Sequence, residues 1–455
     1  IAIPGPGMTN MLTGIAEAFL DSSAMLVITM NPRKNRHIFN IHEIPQLDIV
    51  KPIAKKVVEI SSITQMKELF MAYHVSCQDE PGPVVVEIGS QVMNQEIEES
   101  ALVCDVSPLP ISSANEAVAK IVEYIGQARQ VGIYAGKGCV GAGWELLEIS
   151  KLLSAPVATT ISGRGVVPED YELATGYGFG RTGSPAAYGV FKKCDLILAI
   201  GVKFSEMATG GWGLKFNKMI HIDAEKDNLD KNYSSLFSVQ ADAQFILREL
   251  NKLLADRQRP VNINVIEDIK KFKAQHTAKI EKKQDCGAVH PARLLQALRK
   301  CMPRDAILST DVGYHQLWSL SDYEVLGAGT YLTPADYQAM GFGIPAAIGA
   351  AFAKPDKKVV CICGDGGFLI SGFELLTAVR EKQNLSVFIF NDGALGLIKG
   401  LQKTIYNRYG SVNLKNPDFK QLASSFGARY FQIANETDLK NKLETIRDSQ
   451  GVNIV

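Results

Sequence analysis

The residues best suited to chemistry lie between Lys357 and Ile398, where two short apolar segments each run into a polar, glycine-containing turn. Residues 359–363 (VVCIC) precede the turn GDGG at 364–367, and residues 386–390 (SVFIF) precede NDGA at 391–394. Apolar runs of this length are typical of strands covered on both faces. In a βαβ unit the two strands are parallel, so both turns are expected at the same edge of the sheet. Carboxylate oxygens are ligands that Mg²⁺ prefers, and glycine lets backbone N–H groups approach an anion, so the pattern predicts a site for a cation and a phosphate.

This segment resembles the thiamin diphosphate motif, in which GDG is followed about 25 residues later by a paired Asn/Asp. The resemblance implies that Asp365, Asp392 and the backbone carbonyl of Ala394 bind Mg²⁺. A helix predicted to start after Ala394 can turn its N-terminus toward the diphosphate. The cofactor-binding residues implied at these two turns are Gly364, Asp365, Gly366, Gly367, Asp392, Ala394, Leu395, Gly396 and Leu397.

A third polar turn, DVGYHQ at 311–316, follows a predicted strand at 306–310 and resembles the turn that contacts the diphosphate in the same family. Further downstream, Met340 takes the place of the bulky residue that holds the cofactor bent, although a core methionine would look the same. Leu397 and Gln402 are expected on the substrate side, so with Met340 they are candidate catalytic residues. The resemblance adds to the cofactor-binding residues Val312, Gly313, Tyr314, His315, Gln338 and Met340.

The segment from Ile1 to about Val92 resembles the pyrimidine-binding domain of acetolactate synthase-like enzymes through the motifs IPGPGMTN (3–10) and PGPVVVEI (81–88). His42 stands where many relatives have a glutamine facing the reaction centre, and we predict a catalytic role for it, with a solvated loop histidine as the alternative. The glutamate that activates the cofactor in this family belongs before Ile1. We therefore expect the chain to be an internal piece of a longer protein, with its first domain incomplete at the N-terminus.

The alternation of strands and helices predicts an α/β protein with three doubly wound parallel-sheet domains. We place them at 1–95 (pyrimidine-binding), 110–256 (central) and 288–455 (diphosphate- and Mg-binding). The central domain resembles one that holds FAD in some relatives, but KFSEM (203–207) lacks their arginines, and lysine cannot replace a two-pronged arginine contact. We therefore expect no FAD, with a flavin kept as the alternative. The glycine-rich segment 136–143 is interpreted as tight strand–helix packing rather than a dinucleotide fingerprint.

Composition excludes several classes of protein. The 455 residues carry no formal net charge and 46% are hydrophobic, so nothing indicates a nucleic-acid partner. No apolar run approaches the length needed to span a bilayer. The eight cysteines form no CxxC pair, and we interpret them as free thiols of a cytoplasmic protein.

Taken together, the resemblance implies thiamin diphosphate- and Mg²⁺-dependent decarboxylation of a 2-oxo acid, with pyruvate favoured, and carboligation to a second carbonyl. It also implies a homodimer or homotetramer with active sites at the subunit interface. The alternatives are enzymes of the sulfoacetaldehyde acetyltransferase, carboxyethylarginine synthase or oxalyl-CoA decarboxylase type, or a non-catalytic paralogue or fragment.

Overall fold

The computed structural model describes residues 1–32, 40–98, 114–180, 182–282 and 288–455. These residues form two compact units. The first unit contains the described residues up to 98 together with Asp336–Gln338, and the second contains the rest.

The first unit is built on a three-stranded parallel sheet. Its strands are β1 (Met25–Asn31), β2 (Lys56–Ile60) and β3 (Pro83–Gly89), in the order β1-β3-β2, and its helices are α1 (Pro6–Leu20), α2 (Gln46–Val50) and α3 (Lys67–Cys77). The central strand β3 is buried at every position because it has a neighbouring strand on each side and helices against its faces.

The second unit contains two six-stranded sheets, the first of which has the order β6-β5-β4-β7-β8-β9. Its strands are β4 (Val131–Ala135), β5 (Val157–Thr159), β6 (Ala174–Tyr177), β7 (Leu196–Ile200), β8 (Met219–Asp223) and β9 (Phe237–Gln240). The helices of this region are α4 (Ala114–Gln127), α5 (Gly143–Leu153), α6 (Pro185–Phe191), α7 (Ala243–Leu254) and α8 (Ile263–Glu281). The order is that of a doubly wound sheet whose strand order reverses beside β4.

The last sheet has the order β11-β10-β12-β13-β15-β14. Its strands are β10 (Ile307–Thr310), β11 (Tyr331–Leu332), β12 (Val359–Gly364), β13 (Leu385–Phe390), β14 (Arg429–Tyr430) and β15 (Val452–Ile454). The helices around it are α9 (Pro291–Cys301), α10 (Tyr314–Asp322), α11 (Gly343–Ala353), α12 (Asp365–Ser371), α13 (Leu375–Arg380), α14 (Gly396–Tyr406), α15 (Phe419–Phe426) and α16 (Glu436–Asp448). One face of the sheet packs with α9, α10 and α16 and the other with α11, α13 and α15, which gives this region two hydrophobic cores.

The predicted fold class is confirmed, because every pairing between the strands named above is parallel and three separate sheets occur. The domain boundaries stay a prediction. One local difference concerns the GDGG turn, which is not an open turn: α12 begins at Asp365, directly after β12, so the acidic residue is the first residue of a helix.

Two predictions from composition can be compared with the described residues. None of the helices in these ranges is long and apolar enough to cross a membrane. The six cysteines that fall within the described residues are all free thiols, and four of them are buried.

Candidate cofactor and metal site

Three neighbouring strands of the last sheet end at one edge, and each is followed by a polar residue. Asp311 follows β10, Asp365 follows β12 and Asn391 follows β13. Strands β10, β12 and β13 are adjacent and parallel, so these residues are brought to the carboxyl edge of the sheet. Crevices outside the carboxyl ends of parallel strands are where ligands bind in folds of this type.

Asp365 is held rigidly at this edge. Its side chain is buried, with a relative exposure of 1%. Oδ1 accepts a hydrogen bond from the amide of Gly366 at 2.9 Å, and Oδ2 accepts from the amide of Gly393 at 2.8 Å and from Nδ2 of Asn416 at 2.7 Å. Since the carboxylate also stands at the N-terminus of α12, its negative charge is favoured by the helix dipole.

Asp392 completes a pair of carboxylates with Asp365. Its Oδ1 accepts from the amide of Ala394 at 3.2 Å. A Cβ on Gly396 would stand 2.5 Å from its Oδ2, so any larger residue at the start of α14 would displace this carboxylate. Partial burial raises the pKa of Asp392, and the charge of the Asp365 carboxylate raises it further. A cation bound between the two carboxylates would relieve both effects.

The donor set suits a hard cation that shares its ligands with a phosphate. The described residues contain no group of three or more His, Cys, Asp or Glu side chains arranged to hold a metal by themselves. Two carboxylates and a backbone carbonyl, that of the buried Ala394, match the way Mg²⁺ is bound by few protein groups together with phosphate oxygens.

His315 supplies a buried polar atom next to this pair. The imidazole is 5% exposed, and its Nε2 has no hydrogen-bond partner among the described residues. Burial lowers the pKa of His315 to about 4, although a hydrogen bond to the backbone of Asp311 raises it in part. Gly313 (φ +148°) lies against the ring, where a Cβ would come within 2.7 Å of it. A phosphate oxygen would satisfy the buried nitrogen, so the residues present fit a diphosphate group.

These residues line one cleft with a volume of about 450 Å³. Its polar end holds the two aspartates, His315 and the glycine-rich turns, and its walls include apolar side chains such as Trp318, Phe390 and Ile398. The sequence-predicted residues that the structure brings together here are Val312, Gly313, Tyr314, His315, Met340, Gly364, Asp365, Gly366, Gly367, Asp392, Ala394, Leu395, Gly396 and Leu397.

Three predicted site residues do not line this cleft. Gln338 belongs to the first compact unit and has a positive φ of 61°. Gln402 uses its side-chain oxygen to accept from the amide of Gly410 at 3.0 Å. His42 is exposed in the first unit. Their functional roles stay predictions.

Sequence reasoning missed two residues that organise the site. The carboxylate of Asp311 accepts hydrogen bonds from the amides of Val312, Gly341 and Gly343, so it connects the His315 turn to the segment that carries Met340. Asn416 bonds to Asp365 from 51 residues away. Only Asp311 had a local signal, since it begins the DVG turn.

The glycine-rich segment of the central region is packed against backbone. A Cβ on Gly136 would lie 1.9 Å from the carbonyl oxygen of Gly201, and one on Gly143 would lie 2.5 Å from that of Val166. This agrees with the interpretation of tight packing. The expectation that FAD is absent stays untested.

The fold and the site define an α/β protein with a cleft at the carboxyl edge of a parallel sheet, lined by two aspartates, a buried histidine and glycine-rich turns. Three family models match the chain: "Thiamine pyrophosphate enzyme, C-terminal TPP binding domain" over residues 311–455, the central domain over 118–250 and the N-terminal TPP binding domain over 1–51.

Similar curated proteins cover almost the whole chain. A probable acetolactate synthase large subunit of Methanocaldococcus jannaschii is 31% identical over 98% of this chain and 78% of its own length. The acetolactate synthase isozyme 1 large subunit of Escherichia coli is 28% identical over 99% of this chain and 80% of its own length. A chloroplastic acetolactate synthase of Nicotiana tabacum is 28% identical over 99% of this chain and 70% of its own length. The chain belongs to the acetolactate synthase-like family of thiamine pyrophosphate enzymes.

Proposed function

We propose that this protein is a thiamin diphosphate- and Mg²⁺-dependent enzyme that decarboxylates a 2-oxo acid and joins the remaining fragment to a second carbonyl. The observation that carries the proposal is the meeting of Asp365, Asp392 and the buried Nε2 of His315, which has no partner among the described residues, in one cleft. Pyruvate is the favoured 2-oxo acid, because the relatives named above are acetolactate synthases.

In this proposal the polar end of the cleft binds the cofactor. Asp365, Asp392 and the carbonyl of Ala394 hold Mg²⁺, and His315 and the N-terminus of α14 face the diphosphate. When bound, thiamin diphosphate supplies the electron sink for the loss of CO₂ from a 2-oxo acid.

The apolar part of the cleft is assigned to orientation and to the exclusion of water. Met340, Leu395 and Leu397 line it; Met340 is exposed and the two leucines are partly buried, so all three remain in reach of a ligand. Met340 supports the bent cofactor, and Leu397 lies on the substrate side. An apolar wall lowers the local dielectric and strengthens the electrostatic contacts made at the polar end.

Assembly and location are part of the proposal. In this family the pyrimidine and diphosphate ends of the cofactor are held by different subunits, so we propose a homodimer or homotetramer. We also propose a cytoplasmic protein whose partners are small-molecule 2-oxo acids.

The test measures acetolactate formed from pyruvate by colorimetry, with and without thiamin diphosphate and Mg²⁺, alongside cofactor binding followed by the fluorescence of Trp318, which lines the cleft. We expect both signals to need Mg²⁺ and to be lost in Asp392→Ala. Asp356→Ala, whose carboxylate is 71% exposed and lies outside the cleft, is the matched control. Cofactor binding without pyruvate turnover, together with turnover of sulfoacetaldehyde or oxalyl-CoA, would transfer the assignment to one of those enzyme types.

A further inference from the structure

We infer that Asn416 is a positioning residue for the metal site, which holds Asp365 in the orientation that binds Mg²⁺. This inference rests on the proposed function, because it deepens the account of the same cation site. Asn416 lies on residues 412–416, which we call the strap, between α14 and α15.

The side-chain amide of Asn416 is a bridge with both donors in use. Nδ2 donates to Oδ2 of Asp365 at 2.7 Å and to Oδ1 of Asn391 at 2.7 Å. The orientation of the amide is fixed by chemistry, since an ionised carboxylate can only accept. One side chain thus joins the residue that follows β12 to the residue that follows β13.

This bridge makes the two oxygens of Asp365 unequal. Among the described residues, Oδ2 receives two donors, from Asn416 and from the amide of Gly393, whereas Oδ1 receives only the amide of Gly366. Each carboxylate oxygen has about two lone-pair positions. Oδ1 therefore keeps a free position, and the geometry assigns this oxygen to the cation.

The strap also holds the backbone around Ala394, the third proposed ligand. The amide of Leu395 donates to the carbonyl of Val412 at 2.8 Å, the amide of Leu414 donates to the carbonyl of Gly393 at 2.7 Å, and Ala394 forms an antiparallel bridge with the strap. Two of the three ligands are consequently fixed by the same five residues, one through a side chain and one through the backbone.

Asn416 has one remaining polar atom. Its Oδ1 is buried and has no partner among the described residues. An unpaired buried acceptor costs free energy, and a donor arriving with the cation, such as a bound water, would recover it. The amide nitrogen of Asn416 thus positions Asp365, and the amide oxygen gains a partner when the cation binds.

The experiment titrates Mg²⁺ and, separately, Ca²⁺ at a fixed concentration of thiamin diphosphate, with Trp318 fluorescence as the binding signal. We expect Asn416→Ala to lower the apparent affinity for Mg²⁺ by about 10-fold to 100-fold, which is the usual effect of removing a hydrogen-bond partner of a metal ligand. The loss for Ca²⁺ should be several-fold smaller, because Mg²⁺ demands near-ideal octahedral geometry and Ca²⁺ tolerates distortion. A merely structural role would lower both affinities equally.

The matched control is Asn441→Ala in α16, whose side chain is exposed and lies outside the cleft and the strap. It should keep the affinities of the unmodified protein. The melting temperature of each metal-free variant is measured in parallel. If Asn416→Ala does not fold, Asn416→Leu, which keeps the volume and lacks the donors, takes its place.

The outcomes separate this inference from the proposed function. If the unmodified protein binds thiamin diphosphate with Mg²⁺ and Asn416→Ala binds both cations as tightly, the positioning role is wrong and the proposed function stands. An equal loss for Mg²⁺ and Ca²⁺ also overturns the positioning role. If the unmodified protein shows no Mg²⁺-dependent binding, both are wrong.

Discussion

Among the residues that line the cleft, His315 has a pKa that the fold shifts strongly. Burial lowers its pKa to about 4, whereas an unfolded histidine titrates near 6.5. Because the folded pKa lies below the unfolded one, the unfolded chain binds a proton first as the pH falls. This contribution to the free energy of unfolding is complete above about pH 6.5 and is lost toward pH 4, by about 2 kcal/mol between pH 7 and pH 5.

The prediction can be measured by NMR of protein labelled at its seven histidines. We expect one resonance, absent in His315→Gln, to stay neutral at pH 5 in the ligand-free protein. In urea the same resonance should titrate near 6.5. Thiamin diphosphate with Mg²⁺ should raise the pKa of His315, since an anion beside Nε2 favours the charged ring. A resonance for His315 that titrates near 6.5 in the folded protein would contradict the burial argument.

At the same scale, the sequence predicts the site residues that directly follow strands but not the residues that hydrogen-bond to them from elsewhere in the chain. Asp365 and Asp392 could be predicted because each ends an apolar run, and parallel strands bring such ends together. Asn416 could not, because its contact with Asp365 spans 51 residues and depends on the path of the strap. Neighbours set by tertiary structure leave no periodic signal in the chain.

At the scale of elements, strands were predicted well and helix starts less well. The apolar runs at residues 131–135 and 196–200 predict strands, and β4 and β7 have these same bounds, because uniformly apolar runs between polar turns are distinctive. The spacing of Phe373, Leu376 and Val379 predicts a helix from Phe373 to Lys382, and α13 lies within that range, whereas α12, which begins at Asp365, is not predicted. Gly366 and Gly367 are poor helix formers, so the sequence does not reveal this helix start, which brings backbone amides to the site.

A buried ion pair connects the loop after β5 to the elements beside the last sheet. Nε and Nη2 of Arg164 donate to the two carboxylate oxygens of Glu169, each at 2.8 Å, and Nη1 donates to the carbonyl of Ser319 at 3.2 Å. Glu169 also accepts from the amide of Val325 at 2.8 Å. We expect Arg164→Met to cost about 3–5 kcal/mol, because it leaves a buried carboxylate without its partner. The lowered melting temperature of the second unit measures this loss.

Two comparisons test the cause of that loss. Arg164→Met combined with Glu169→Gln should recover part of the stability, since the amide can still accept from Val325 without a buried charge. Arg304→Ala removes the neighbouring pair with Asp170, in which both side chains are exposed, and should cost less than about 1 kcal/mol. Equal losses for the Arg164 and Arg304 variants would show that burial of the pair has no effect.

At the scale of the whole molecule, the three sheets follow from strand and helix alternation, while the grouping into two units does not. The lysine-rich segment from Arg257 to Gln284, which follows the central domain, predicts a solvated linker helix. Instead α8 places Val265, Ile266 and Ile269 against α6. Three apolar residues among many charges give a weak pattern, yet they are enough to join the linker helix to the second unit.

Because every residue lining the cleft belongs to the second unit, ligand binding should stabilise that unit directly. A ligand present at about 100 times its Kd adds about 2.7 kcal/mol to the free energy of unfolding. We expect thiamin diphosphate with Mg²⁺ to raise the melting temperature of the second unit, and chelation of Mg²⁺ by EDTA to reverse the shift. Thiamin without its diphosphate should give no shift, since nothing then bridges the cation held by Asp365 and Asp392. A shift of equal size in EDTA would mean that the carboxylate pair does not bind the cofactor through a metal.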